Sequence, residues 1–110
     1  MTLYIIYFNQ QWVGDHTSEW FASRGPLARA VVDDMKLAGV LVTAGGLDED
    51  IDSAWGFDPD GEGIPPLSRG NAFLGGLTVI DVESDHEAKS WGAKVARACG
   101  WPQEVRRIIP

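Results

Sequence analysis

The chain is short of most of what catalytic and metal chemistry is built from. A single cysteine, Cys99, rules out an intrachain disulfide and any thiolate metal cluster. Two histidines, His16 and His86, are the only side chains that titrate near neutrality. Cations are scarce as well: nine Lys and Arg stand against sixteen Asp and Glu, for a net charge of −7. That balance argues against nucleic acid, which selects a basic face, and against an anionic membrane surface. Long apolar runs are also absent. The N-terminal "LYIIYF" (Leu3 to Phe8) is six residues with no basic segment before it, too short for a signal peptide or a membrane span. The expectation is one soluble, cytoplasmic domain over residues 1–110, without nucleic-acid or membrane partners.

What is present is strand and helix signal in a regular order. "LYIIYF" is β-branched and aromatic on both faces, so it reads as a strand that needs cover on two sides. Asn9 to Gly25 reads as an irregular connection holding Trp12, Trp20 and Phe21. A helix is expected from Pro26, with Pro at the first helical position, to Gly39 at the C′ position, with Leu27, Ala30, Val31, Met35 and Ala38 facing inward. "VLVTA" (Val40 to Ala44) is a second strand and "SAWGFD" (Ser53 to Asp58) a short, edge-like one. Pro59 to Asn71 is loop by its Pro and Gly content. "LTVIDV" (Leu77 to Val82) is the third long strand. "SDHE" (Ser84 to Glu87) is a capping box that opens a helix carrying Ala88, Trp91, Gly92, Val95 and Cys99 inward. "EVRRII" (Glu104 to Ile109) is the closing strand.

Strand–helix–strand twice over, with a small extra strand between, specifies a ferredoxin-like βαββαβ sandwich of α+β class with both helices on one sheet face. The two "GGL" stretches, Gly45–Leu47 and Gly75–Leu77, then fall at a rim of the sheet as turn and bulge positions. Neither is followed by the helix a phosphate loop requires. The opposite sheet face keeps its apolar residues, and the economical cover is a second copy packed sheet to sheet, a homodimeric α/β barrel. The alternative cover is a lid formed by Pro59–Asn71 or Trp12–Phe21.

Several stretches, "LYIIY", "LARAVVDDMKLAGVLVTAGGL" (Leu27 to Leu47), "LGGLTVIDVESDHEAKSW" (Leu74 to Trp91) and "EVRRI", resemble the YciI-like (YCII-related) family and its DGPF-type relatives. They span about half the chain in the family's order. The resemblance implies a ferredoxin-like fold that dimerises into an α/β barrel, with a pocket between helix and sheet. The family usually carries a His before the "LAR" of the first helix; Pro26 stands there in this chain. The DGPF tetrapeptide is also absent, and "SRGNAFLGG" keeps only a Gly and a Phe.

Asp34 is the first candidate for acid–base work, because the helical spacing sets it near the apolar stripe; if the helix is turned slightly, Asp33 and Asp34 are both solvated. His16, beside Asp15 and near Trp20, is the second and stands in for the missing family His. His86 belongs to the capping turn, at the surface. Tyr7, Trp20, Gly45, Gly46 and Arg69 are candidate binding residues: aromatic walls, a glycine rim, and a cation able to hold a carboxylate. "DEDID" (Asp48 to Asp52) starts like a calcium loop, but Ser53 and Pro59 occupy the positions that need Gly and Glu, so no metal site is expected. No cofactor motif is present. Three functions compete: a cofactor-independent enzyme (lyase, isomerase or hydrolase) acting on a small, partly apolar acid; a non-catalytic dimeric binding or accessory module; and, on fold analogy alone, a cofactorless monooxygenase.

Overall fold

A computed structural model describes all 110 residues, Met1–Pro110. Strand β1 (Thr2–Asn9) leads through a 3-10 turn (Gln10–Trp12) into helix α1 (Ser18–Leu37), followed by β2 (Leu41–Gly46). A long connection holds the two-residue strands β3 (Gly56–Phe57) and β4 (Gly63–Ile64). Strand β5 (Leu74–Val82), helix α2 (Asp85–Cys99) and β6 (Glu104–Arg107) complete the chain. The main sheet runs β2-β5-β1-β6, every neighbour antiparallel. Each strand–helix–strand half therefore steps over one strand of the other half. The result is an α+β fold with a four-stranded antiparallel sheet and two helices, compatible with the ferredoxin-like expectation. Neither helix is long and apolar enough to cross a membrane.

The core lies between the helices and one sheet face. Tyr4 and Ile6 of β1, Ile80 and Val82 of β5, Met35 of α1 and Ala88 of α2 form its buried cluster. The alternate residues Leu3, Ile5, Tyr7, Leu77, Val79 and Asp81 point to the other face, as the period of two requires. Both helices pack on the opposite face; here Trp12 lies against Tyr7, with ring centroids 6.1 Å apart, and Leu3 is exposed. The molecule is accordingly a slab 18 Å thick in its shortest dimension and 42 by 40 Å in the others.

Three expectations need correction. Helix α1 starts eight residues before Pro26. Thr17 caps it, its hydroxyl accepting from Trp20 N at 3.1 Å, and Pro26 sits inside the helix. Packing outweighs the lost Pro26 N–H here, because the first two turns rest on the end of α2: Arg24 donates to the carbonyls of Arg97 and Ala98. With the helix extended, its inward stripe is Trp20, Arg24, Ala28, Val31 and Met35, at steps of four and three. Leu27, Ala30 and Ala38 are exposed instead.

The glycine pairs are not turns, although they do lie at the sheet's rim. Gly45 and Gly46 end β2, Gly75 and Gly76 lie near the start of β5, Gly46 pairs with Gly76, and the register shift between Phe8 and Asn9 leaves Gly75 as a bulge residue. The extra strand does not join the main sheet; β3 pairs only with β4, closed by a turn in which Asp58 Oδ1 accepts from Asp60 N and Glu62 N, both at 2.9 Å. The capping box stands as expected, with Ser84 accepting from Glu87 N at 3.2 Å. Gly100, at φ +88°, ends α2 in the left-handed conformation that favours glycine.

The connection from Leu47 to Phe73 is an arm. It is tied to the body at its base, where Leu47 N reaches the Gly75 carbonyl (2.9 Å) and Gln10 N the Phe73 carbonyl (2.8 Å). Between residues 50 and 68 its hydrogen bonds stay within the arm. It carries seven of the sixteen acids and one of the nine cations, leaving the rest of the chain almost neutral.

Candidate functional site

The Gly45–Gly46 pair borders a cavity between helix and sheet. Where β2 ends in Ala44-Gly45-Gly46, the sheet presents almost no side chain to α1. The space between helix and sheet there stays open as a cavity of about 630 Å³. Besides β2, its walls come from four elements. Phe8 of β1 and Thr78 of β5 stand on the sheet side, Arg24, Ala28, Val32, Asp33 and Lys36 on α1, Val95 and Cys99 on α2. Trp101 and Gln103 close it from the segment before β6.

An aromatic group builds the closed end. Phe8 and Trp101 meet edge to face with centroids 5.1 Å apart, and Phe21 lies 6.4 Å from Trp101. Gln103, with its amide turned to satisfy both neighbours, accepts from Trp101 Nε1 (3.2 Å) and donates to the Tyr7 carbonyl (3.3 Å), which pins the indole. Trp20 stands behind, 6.1 Å from Trp101, and carries the Arg24 guanidinium 5.0 Å above its ring.

The polar side of the cavity is cationic. Arg24, Arg29 and Lys36 line it against one carboxylate, Asp33. The molecule's single ion pair within 4 Å is Arg69–Asp52 in the arm, so none of the three cations is neutralised by a carboxylate at bonding distance. Arg24 Nη1 faces the last carbonyls of α2, where the helix dipole favours positive charge, while its Nε is shielded from solvent without an acceptor. Cys99 is the one thiol on the wall. Burial pushes its thiol above the usual range, with the Arg24 charge pulling back.

The candidates named from sequence separate into two groups. Gly45 and Gly46 line the cavity, and Trp20 supports it from behind. The others lie elsewhere. Asp34 is exposed on α1 and is not on the cavity wall, while its neighbour Asp33 is. His16 stacks on Trp20 (3.6 Å between centroids, planes 14° apart) and donates from Nε2 to the Val13 carbonyl at 2.9 Å. Tyr7 is on the open sheet face, its hydroxyl 2.6 Å from Glu104 Oε1. Arg69 is held by Asp52 at 2.8 Å. Arg24, Phe8 and Trp101 were not singled out from sequence. The signal for Arg24 is the i+4 ladder read backward from Met35, which passes through Val31 and Ala28 to a cation in line with core residues.

Against models of known protein families and against curated protein sequences, the chain finds no match.

Proposed function

We propose that this protein is a YciI-like module that binds a small, partly apolar acid in the cavity between helices and sheet, and that it works as a homodimer through its open sheet face, in the ferredoxin-like α/β-barrel arrangement. The supporting observation is the cavity's composition: an aromatic and aliphatic end next to three cations that no carboxylate of the chain neutralises. An anion with a short apolar body satisfies both sides, its charge drawn by Arg24, Arg29 and Lys36 and its body packed on Phe8, Phe21 and Trp101. The dimer reading rests on Leu3, Ile5, Leu77 and Val79, which form an apolar sheet face on the side away from the helices.

Binding is favoured over catalysis by the same geometry. General acid–base chemistry needs a titratable group within hydrogen-bond reach of the atom whose proton it moves. Asp34 and His16 lie off the cavity, and the wall offers Asp33 alone among carboxylates. The lyase, isomerase and hydrolase readings thereby lose the two residues to which they assigned the proton transfer, and the monooxygenase reading rests on fold analogy alone.

The test is a titration of the protein with phenylacetate, hexanoate and their neutral amides, followed by tryptophan fluorescence and NMR shifts. The expected result is saturable binding of the acids, at least about tenfold weaker for the amides, as removal of a charge-assisted bond implies. Arg24→Met should weaken the acids toward the amides. Equal binding of acid and amide, or no binding of either, would overturn the proposal.

A further inference from the structure

The open sheet face is not uniformly apolar: it carries Glu104, engaged by the Tyr7 hydroxyl, and two further charges of opposite sign, Asp81 and Arg106, which are informative. On β5, Asp81 stands opposite Leu3 of β1; on β6, Arg106 stands opposite Ile5. Both therefore share the face of Leu3, Ile5, Tyr7, Leu77 and Val79. Asp81 has one carboxylate oxygen, Oδ1, shielded from solvent and without a hydrogen-bond donor. Arg106 is the one basic residue that the strands set on this face, and no carboxylate lies within 4 Å of it. Its other neighbour is the Tyr7 hydroxyl, which Glu104 already engages.

These two residues cannot pair within the chain. They are two strand spacings apart across β1 and offset by two residues along it, roughly 12 Å. The midpoint between them falls over Leu3 and Ile5, the apolar middle of the face.

That placement has a consequence for symmetry. In a two-fold interface each contact occurs twice, residue i on j and j on i. A two-fold axis lying in the face, crossing β1 midway between Leu3 and Ile5 and perpendicular to the line from Asp81 to Arg106, exchanges the positions of Asp81 and Arg106. One operation thus brings Arg106 of each copy onto Asp81 of the other, with the aliphatic residues meeting between. The face itself, four strands about 4.8 Å apart and four to nine residues long, is at most roughly 19 by 30 Å, which approaches the ~800 Å² per partner of a stable complex.

We propose that the open face is closed by a second copy of this chain in a single register, set by two reciprocal Asp81–Arg106 pairs about an axis that crosses β1 obliquely, midway between Leu3 and Ile5. This rests on the homodimer reading above and adds to it the residues that choose the arrangement. Charge pairs at the edge of an apolar patch are a means of excluding the other ways two flat faces could slide together.

The experiment is a charge exchange on the full chain, read by size-exclusion chromatography with light scattering at micromolar concentrations. The unmodified protein is expected at dimer mass. Asp81→Arg alone and Arg106→Asp alone each place two like-charged pairs across the axis and should raise the dissociation constant at least about a hundredfold, giving monomers. Mixed in equal amounts, the two single variants should form a heterodimer in which both pairs are again opposite in sign. The double variant Asp81→Arg with Arg106→Asp should recover the homodimer.

The failures are distinguishable. An unmodified protein that stays monomeric would sink the dimer and the register together. A dimer indifferent to both single changes leaves the sheet-face dimer standing and overturns the register, as do two monomeric variants that do not combine. Should Asp81→Arg not fold, Asp81→Cys with Arg106→Cys in a Cys99→Ser chain serves instead. Those positions are too far apart for an intrachain bridge. Oxidation should therefore give a covalent dimer, and its absence would overturn the register.

Discussion

The ring of Phe8 occupies the space that side chains at Gly75 and Gly76 would need: a β-carbon on Gly76 would stand 2.7 Å from Phe8 Cε1, and one on Gly75 2.6 Å from Cε2. The aromatic wall of the cavity and the bare glycines of β5 are thus one feature. Glycine in a strand ordinarily costs stability and signals a close approach; here the approaching group is a ring from the neighbouring strand.

The first prediction follows directly. Gly76→Ala should destabilise the protein by about 1–3 kcal/mol through overpacking, although alanine is the better strand residue. In a Phe8→Ala background the same change should cost much less, because the ring that it meets is gone. Urea unfolding of the four proteins closes the cycle. Equal costs in both backgrounds would mean that Phe8 and Gly76 do not share this space.

How far the sequence carried depended on what each residue answers to. The strands at Leu3–Phe8 and Leu77–Val82, the Ser84–Glu87 cap and the two-half order were legible because they express local pattern and propensity. The first two turns of α1 were not, since Gly25 and Pro26 are local stop signals and only the packing of Trp20 and Arg24 against the end of α2 overrides them. The cavity was half legible. Gly45 and Gly46 drew notice as glycines, but that they leave room for a pocket depends on which strand pairs with which. Arg24 was missed with the helix start.

A second glycine reverses the usual helix rule. Gly92 lies in the middle of α2, where alanine normally gains about 1 kcal/mol. A β-carbon there would stand 2.4 Å from Val105 Cγ2 on β6. Gly92→Ala should therefore lower stability, by about 1–2 kcal/mol net. Adding Val105→Ala should recover part of that loss, which thermal unfolding can read. A stabilised Gly92→Ala protein would show that α2 sits farther from β6 than described.

The two tyrosines give the chain an alkaline limit. Both phenols are held protonated above their ordinary range. Tyr4 is raised first by its hydrogen bond to Asp85 and then by burial, Tyr7 first by its bond to Glu104 and then by desolvation, while Arg107 and Arg106 pull the other way. Since the native chain keeps protons that the unfolded chain releases near pH 10, this contribution is complete below pH 10 and is lost as the pH rises beyond it. Tyrosinate absorbance should appear at higher pH in the native protein than in concentrated urea. Because there are only two tyrosines, Tyr7→Phe should remove about half of the signal. Coincident native and unfolded titrations would contradict both hydrogen bonds.

Cys99 offers a way to watch the cavity from inside. Its thiol lines the wall, and burial, the larger influence, raises it while the Arg24 charge lowers it. A thiol-specific disulfide reagent at mildly alkaline pH should thus modify the folded protein at least about tenfold more slowly than the urea-unfolded chain, because only the thiolate reacts. Arg24→Met removes the charge that favours the thiolate and should slow the reaction further, an outcome opposite to that of simple loosening. A bound acid should protect Cys99 in proportion to its occupancy of the cavity. If the folded thiol reacts as fast as the unfolded one, Cys99 is open to solvent and the cavity is not closed at its α2 wall. If modification is slow but phenylacetate at saturating concentration leaves the rate unchanged, the acid binds elsewhere, and the walls of Phe8, Trp101 and Arg24 are not its site.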